Sequence, residues 1–151
     1  MYKKVSACVY NYSKLARDMN GEWSMVLING RDLTVEEVIR VCRNDEEVKL
    51  TGEAEKNVQK ARDYIEKKLA EKAVIYGLTT GFGKFSNVVI SNEETEKLQR
   101  NLIISHTCSM GEAYPREQVR AAMLLRCNAL ARGNSGIRLS TLKTLIDMLN
   151  R

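Results

Sequence analysis

This 151-residue chain is short of three residue types, with a single histidine, a single proline and four scattered cysteines. No apolar run approaches the ~20 residues that a helix needs to cross a bilayer. The opening stretch, Met1-Tyr-Lys-Lys-Val-Ser-Ala-Cys-Val-Tyr10, lacks the roughly 7–15-residue apolar core of a secretion signal. The chain therefore reads as cytoplasmic, with no membrane partner. Cys8, Cys42, Cys108 and Cys127 form no C-x-x-C pair, and His106 is the one imidazole that could join them, so local spacing supplies no zinc site. Structural thiols are the expectation, because a chain of this length can bury about 68–70% of its unfolded surface and needs no disulfide or metal staple.

What is present is the balance of a globular domain: 44% apolar and 28% charged residues, with 24 Lys and Arg against 19 Asp and Glu for a net charge of +5. The excess gathers late. From Asn101 onward stand Arg116, Arg120, Arg126, Arg132, Arg138, Lys143 and Arg151 against Glu112, Glu117 and Asp147. These cations are spread along helical segments, and no aromatic lies between Arg116 and Arg151 to stack on a base, so a nucleic-acid partner is not expected.

Residues 1–24 show no sustained periodicity and read as a poorly ordered extension, leaving 25–151 as the folded part. At Met25-Val-Leu-Ile-Asn-Gly30 an apolar run meets an Asn-Gly pair, a hairpin signal that places a small β-element near residues 25–33. Thr34 and Glu37 form a capping-box pattern opening a helix over about Val35 to Arg43, with Val35, Val38, Ile39 and Cys42 on its apolar face. Glu53 to Lys72 reads as a long amphipathic helix on Val58, Ala61, Ile65 and Leu69. Ser91 and Glu94 start another, running to about Thr107 and stacking Leu98, Leu102 and His106. Pro115 suits the first position of a fourth, with Val119, Ala122, Met123 and Leu130 inward and Gly133 as its stop. Leu142, Leu145, Ile146 and Leu149 make a fifth. The expected fold is mainly α.

Between the second and third of these helices lies Tyr76-Gly-Leu-Thr-Thr-Gly-Phe-Gly-Lys-Phe-Ser86. The glycines allow positive φ, close backbone approach to a ligand and lid-like movement. Neither phosphate motif fits: the dinucleotide fingerprint needs glycine where Ser86 stands, and a P-loop needs glycine at Leu78 and a hydroxyl at Phe85. A tyrosine serves as general base only where cations or donors stabilise its phenolate. On composition and spacing alone Tyr76 reads as a packing tyrosine, and His106 as a half-buried histidine meeting the last carbonyls of its helix.

Three segments change that reading. The Tyr76–Ser86 stretch, then Leu98-Gln-Arg-Asn-Leu-Ile-Ile-Ser-His106, then Arg126-Cys-Asn-Ala-Leu-Ala-Arg-Gly-Asn-Ser-Gly-Ile-Arg138 resemble, in order and spacing, the N-terminal part of the aromatic amino-acid ammonia-lyases and aminomutases, the histidine ammonia-lyase branch above all. The resemblance runs from about Met25, which looks like a natural start, to Arg151. It implies the N-terminal part of the ammonia-lyase helical fold and a non-oxidative elimination of ammonia from L-histidine to urocanate, in histidine catabolism. The β-proton of an amino acid is barely acidic and ammonia leaves poorly, so one end must be activated while a base works at the other. The family uses a methylidene-imidazolone electrophile made from an internal Ala-Ser-Gly.

By the same resemblance Tyr76 matches the mobile-loop tyrosine that acts as base, with Gly77, Gly81, Phe82 and Gly83 as the loop around the site, and His106 matches the residue contacting the substrate ring. A tyrosine-selective relative could also use histidine there, and Ser105 leans toward the histidine branch. No metal is implied. Thr107 and Ser109 depart from the family's more frequent Ala and Gly. The larger departure is that no Ala-Ser-Gly occurs in these residues; Asn134-Ser-Gly136 matches a segment that precedes the cyclising tripeptide. The expectation is a chain inactive by itself, completed by a family tetramer or a complementary C-terminal polypeptide. The alternative is a non-catalytic helical module that binds a family subunit. A chain without the rest of the helical bundle is also expected to bare the Leu142, Leu145, Ile146 and Leu149 face and to self-associate.

Overall fold

The computed structural model describes residues 25–80 and 92–151, with nothing said of the side chains of Asn92, Glu93 and Thr95. The 1–24 extension and residues 81–91 lie outside it. Among the described residues two strands and five helices follow in the order β1 (Val26–Ile28), α1 (Val35–Asn44), β2 (Val48–Leu50), α2 (Gly52–Ala70), α3 (Asn92–His106), α4 (Arg116–Ala131) and α5 (Leu139–Leu149). The described chain is mostly helical, as expected, and none of its helices is long and apolar enough to cross a membrane. It divides into two units. The first joins the described residues up to Arg62 with Tyr114–Arg151, and the second is Asp63–Ala113.

In the first unit the β-element is not a hairpin. β1 pairs with β2 in parallel, with Val26 opposite Val48 and Ile28 opposite Leu50, and α1 is the crossover that a parallel pair requires. The Asn-Gly signal fails because Asn29 is used differently. Its Oδ1 accepts from the amides of Arg31 (2.9 Å) and Asp32 (3.1 Å), an Asx turn that steers the chain toward α1 instead of back along β1. Gly30, at φ +84°, donates its N–H to Asn128 Oδ1 of α4 at 2.9 Å.

The capping box forms in full: Glu37 N–H donates to Thr34 Oγ1 at 3.2 Å, and Thr34 N–H to Glu37 Oε2 at 2.8 Å. The buried stripe of α1 is shifted from the expected one. Val41 and Cys42 are buried, whereas Val35 is 70% exposed. The cause is α4, which covers the C-terminal half of α1 and ties itself there. Arg120 Nε and Nη2 donate to the Val41 carbonyl (3.2 and 2.9 Å), while Arg43 Nη2 pairs with Glu117 at 2.8 Å.

That tie corrects α4 as well. Pro115 is its N-cap and not its first residue, Val119 and Ala122 face outward, and the buried positions are Arg120, Leu124, Cys127, Leu130 and Ala131. Arg120, a residue the charge pattern places in solvent, is 7% exposed. Its third donor, Nη1, reaches the Leu149 carbonyl at 2.6 Å, so one guanidinium satisfies orphan carbonyls at the C-terminal ends of both α1 and α5. Arg116 and Arg120 also pair with Asp45, and Lys143 with Glu55, so part of the late positive charge is taken up by carboxylates of the same fold.

The expected bare face of α5 is covered. Leu142, Ile146 and Leu149 are buried in one core with Val26, Ile28, Val41, Val48, Val58, Leu124 and Cys127, and Leu145 packs against it. Side chains of α4 and β2 close over that stripe, so it offers no surface for self-association. Three free cysteines are described, Cys42 and Cys127 buried and Cys108 exposed. Burial pushes the Cys127 thiol up to about 11 and raises that of Cys42.

Candidate active site

Tyr76 and His106 both belong to the unit Asp63–Ala113. The chain enters that region from the end of α2, which closes in a Schellman arrangement. Ala73 N–H donates to the Lys68 carbonyl and Lys72 N–H to the Leu69 carbonyl, each at 3.0 Å. Lys72 therefore holds the left-handed position, at φ +53°, where glycine is usual. The last turn is charged: Lys68 Nζ lies 2.7 Å from Glu71 and 5.8 Å from the centre of the Tyr64 ring. The Glu71 carboxylate holds the Lys68 ammonium above its usual range.

Residues 73–80 then form a compact turn with Tyr76 at its tip. Leu78 and Thr79 amides donate to the Ile75 carbonyl at 3.1 and 3.0 Å. Thr79 Oγ1 accepts from Ile75 N–H at 2.8 Å and gives its own proton to the Ala73 carbonyl at 3.1 Å, with the Ile75 carbonyl second at 3.4 Å. Thr80 Oγ1 accepts from Gly77 N–H at 3.2 Å. Tyr76 is 65% exposed, so it is not the packing tyrosine that composition suggested. Gly77 takes φ +71°, the backbone conformation for which glycine was expected in this loop. Gly81, Phe82 and Gly83, and the capping residue Ser91, lie outside the described residues.

His106 closes α3 and is exposed rather than half-buried. It does meet a last-turn carbonyl. Its Nδ1 stands 2.8 Å from the Leu102 carbonyl oxygen and 3.0 Å from Ser105 Oγ. The carbonyl can only accept, and Ser105 already donates its hydroxyl to the same oxygen at 2.9 Å. Nδ1 is thus the protonated nitrogen, and in the neutral ring Nε2 is left as an acceptor. That arrangement suits a ligand carrying an N–H or O–H on its ring. Sequence reasoning singled out Tyr76, Gly77 and His106. It gave no structural role to the hydroxyls of Thr79, Thr80 and Ser105, although two adjacent threonines beside a tyrosine and a serine one residue before a histidine were the available signals.

The family model for aromatic amino acid lyases matches residues 33–151. Among curated relatives, the histidine ammonia-lyase of Caldanaerobacter subterraneus subsp. tengcongensis is 52% identical over 126 residues, 83% of this chain and 25% of that protein. The histidine ammonia-lyase of Alkaliphilus metalliredigens is 54% identical over the same shares. Among solved structures, the ergothioneine-degrading ergothionase of Treponema denticola superposes with a TM-score of 0.78 at 34% identity, over 84% of this chain and 26% of that one. A tyrosine aminomutase of Streptomyces globisporus gives 0.77 at 32%, over 85% and 24%. The chain spans about a quarter of the length of these relatives. With the family model covering residues 33–151 and relatives half identical to it, the chain belongs to the aromatic amino acid lyase family.

Proposed function

We propose that residues 25–151 supply the N-terminal share of a histidine ammonia-lyase site, with Tyr76 as the base and His106 as the contact to the substrate ring. Tyr76 Oη would take the proton from the β-carbon of L-histidine as ammonia leaves the α-carbon, giving urocanate. His106 would orient the substrate by accepting, at Nε2, the N–H of its imidazole. The observation that carries this reading is the fixed tautomer of His106: a ring whose Nδ1 is spent on Leu102 and Ser105 presents one acceptor outward. A site made for phenylalanine has no use for an acceptor at that place.

The methylidene-imidazolone of the family does not fit these residues, since they contain no Ala-Ser-Gly. That tripeptide has to come from another polypeptide segment, and the isolated 151-residue chain is inactive in this reading. Its partner is a complementary polypeptide or a family oligomer. The test is to mix the pure chain with the remainder of the Alkaliphilus metalliredigens enzyme and follow urocanate. Product from the mixture but not from either piece is expected, and loss of it in Tyr76→Phe. Product from the chain alone, or undiminished activity in Tyr76→Phe, overturns the reading. Association without product would mark a non-catalytic module.

A second substrate fits the same acceptor. The phenol O–H of L-tyrosine could donate to His106 Nε2, and a tyrosine aminomutase is among the similar structures. Comparing kcat/KM for L-histidine and L-tyrosine in the same mixture decides between them.

A further inference from the structure

The backbone amides on either side of Tyr76 are both held by threonine hydroxyls. Ile75 N–H donates to Thr79 Oγ1 at 2.8 Å, and Gly77 N–H to Thr80 Oγ1 at 3.2 Å. These two bonds differ from ordinary turn bonds in their direction. A β-turn fixes the peptide that follows its carbonyl acceptor, whereas here two side chains reach back from one end of the turn and grip it before and after its tip. Thr79 adds a third bond by donating to Ala73, so its hydroxyl links the chain entering the turn to the chain leaving it. Thr80 is 3% exposed, which shields its bond to Gly77 from competing water. The segment that bears Tyr76 is tied at three points.

We propose that Thr79 and Thr80 are positioning residues for Tyr76: their hydroxyls set where its phenol is presented. This rests on the reading of Tyr76 as the base. The consequence for chemistry is a matter of reach. A base that must meet a carbon-bound proton works within hydrogen-bond distance of it, and an ångström of misplacement costs rate without costing affinity. Removing either hydroxyl frees an amide beside Tyr76 while leaving the ring itself intact. Serine keeps the oxygen and valine keeps the shape, so the pair separates the hydroxyl from the packing of the methyl.

The first measurement is on the 151-residue chain. In Thr79→Val the Ile75 amide, and in Thr80→Val the Gly77 amide, should exchange with solvent about five- to tenfold faster, and the backbone order parameter of Tyr76 should fall. Thr79→Ser should leave both as they are. Unchanged exchange, or faster exchange with Tyr76 as ordered as before, overturns the proposal. The second measurement is in the mixture that forms urocanate. There Thr79→Val should lower kcat by about 10- to 100-fold with KM within about twofold, and Thr79→Ser should restore it. A kcat that stays within about twofold overturns the positioning role. A fully active Tyr76→Phe would instead sink the assignment of the base, while amide exchange would still report on the two hydroxyls.

Discussion

Asn150 pairs with Val48 as a neighbouring strand would. Its Oδ1 accepts from the Val48 amide and its Nδ2 donates to the Val48 carbonyl, both at 2.9 Å. β1 bonds to β2 through the Glu47 carbonyl and the Thr51 amide, so the Val48 groups face the opposite edge, and one side-chain amide closes it there. Val48 is fully buried, and water does not replace the lost partner easily. Asn150→Ala should therefore cost about 1–3 kcal/mol in urea unfolding. A midpoint equal to that of the parent chain would mean that the edge is satisfied by other means.

Two glycines are held by space as well as by backbone angle. A Cβ on Gly30 would come within 2.6 Å of the Arg132 backbone, and one on Gly133 within 2.6 Å of the Asn57 backbone, both at positive φ. Gly52 has nothing within 4 Å and opens α2. Gly30→Ala and Gly133→Ala should each lose more than about 2 kcal/mol, whereas Gly52→Ala should gain a few tenths to about 1 kcal/mol. Thermal melts of the three variants give the comparison.

Lys72 holds a left-handed position that favours glycine. Lys72→Gly keeps the Schellman bonds and removes the Cβ penalty, so it should raise stability by up to about 1 kcal/mol. Amide exchange at Lys72 and Ala73 should slow accordingly. Faster exchange there would show that the Lys72 side chain stabilises the turn.

Thiol chemistry should sort by burial. At pH 8 a disulfide reagent should label Cys108 within minutes and leave Cys42 and Cys127 until the chain unfolds. The raised pKa of Cys127 also fixes a sign. Both folded and unfolded states are protonated below the ordinary thiol range, so the thiol adds no pH slope there. As pH rises from about 8.5, its unfolded value, toward 11, only the unfolded chain ionises, and stability falls. Cys127→Ala should flatten that decline, and an unchanged pH slope in the variant would assign it to other groups.

Local signals were legible where the partner lies nearby in sequence. The Thr34 and Glu37 box, the place of His106 near the end of α3 and the positive φ at Gly77 all follow from neighbours within a few residues. The Asn-Gly pair misled because β1 finds its partner across a helix, Val26 opposite Val48. Arg120 reads as a surface charge because its acceptors are carbonyls at the ends of two other helices, which no pattern of side chains announces. For the same reason α5 was read as bare when α4 and β2 close over it. At the candidate site, the family motifs pointed to Tyr76 and His106, but the hydrogen bonds that fix the turn and the tautomer run between hydroxyls and backbone or ring atoms, and the adjacent threonines and Ser105 mark the hydroxyls without naming their partners.

The first unit is assembled from two stretches of chain with Asp63–Ala113 interposed, and Val48 meets its amide partner 102 residues later. On a ribosome adding about 5–20 residues per second, β1, α1 and β2 emerge roughly 5–20 seconds before Asn150 does. During that interval the crossover can form, but Val41, Val48 and Val58 have neither α4 nor α5 above them. Slow codons between residues 63 and 113 would lengthen that uncovered interval without altering any contact in the finished molecule.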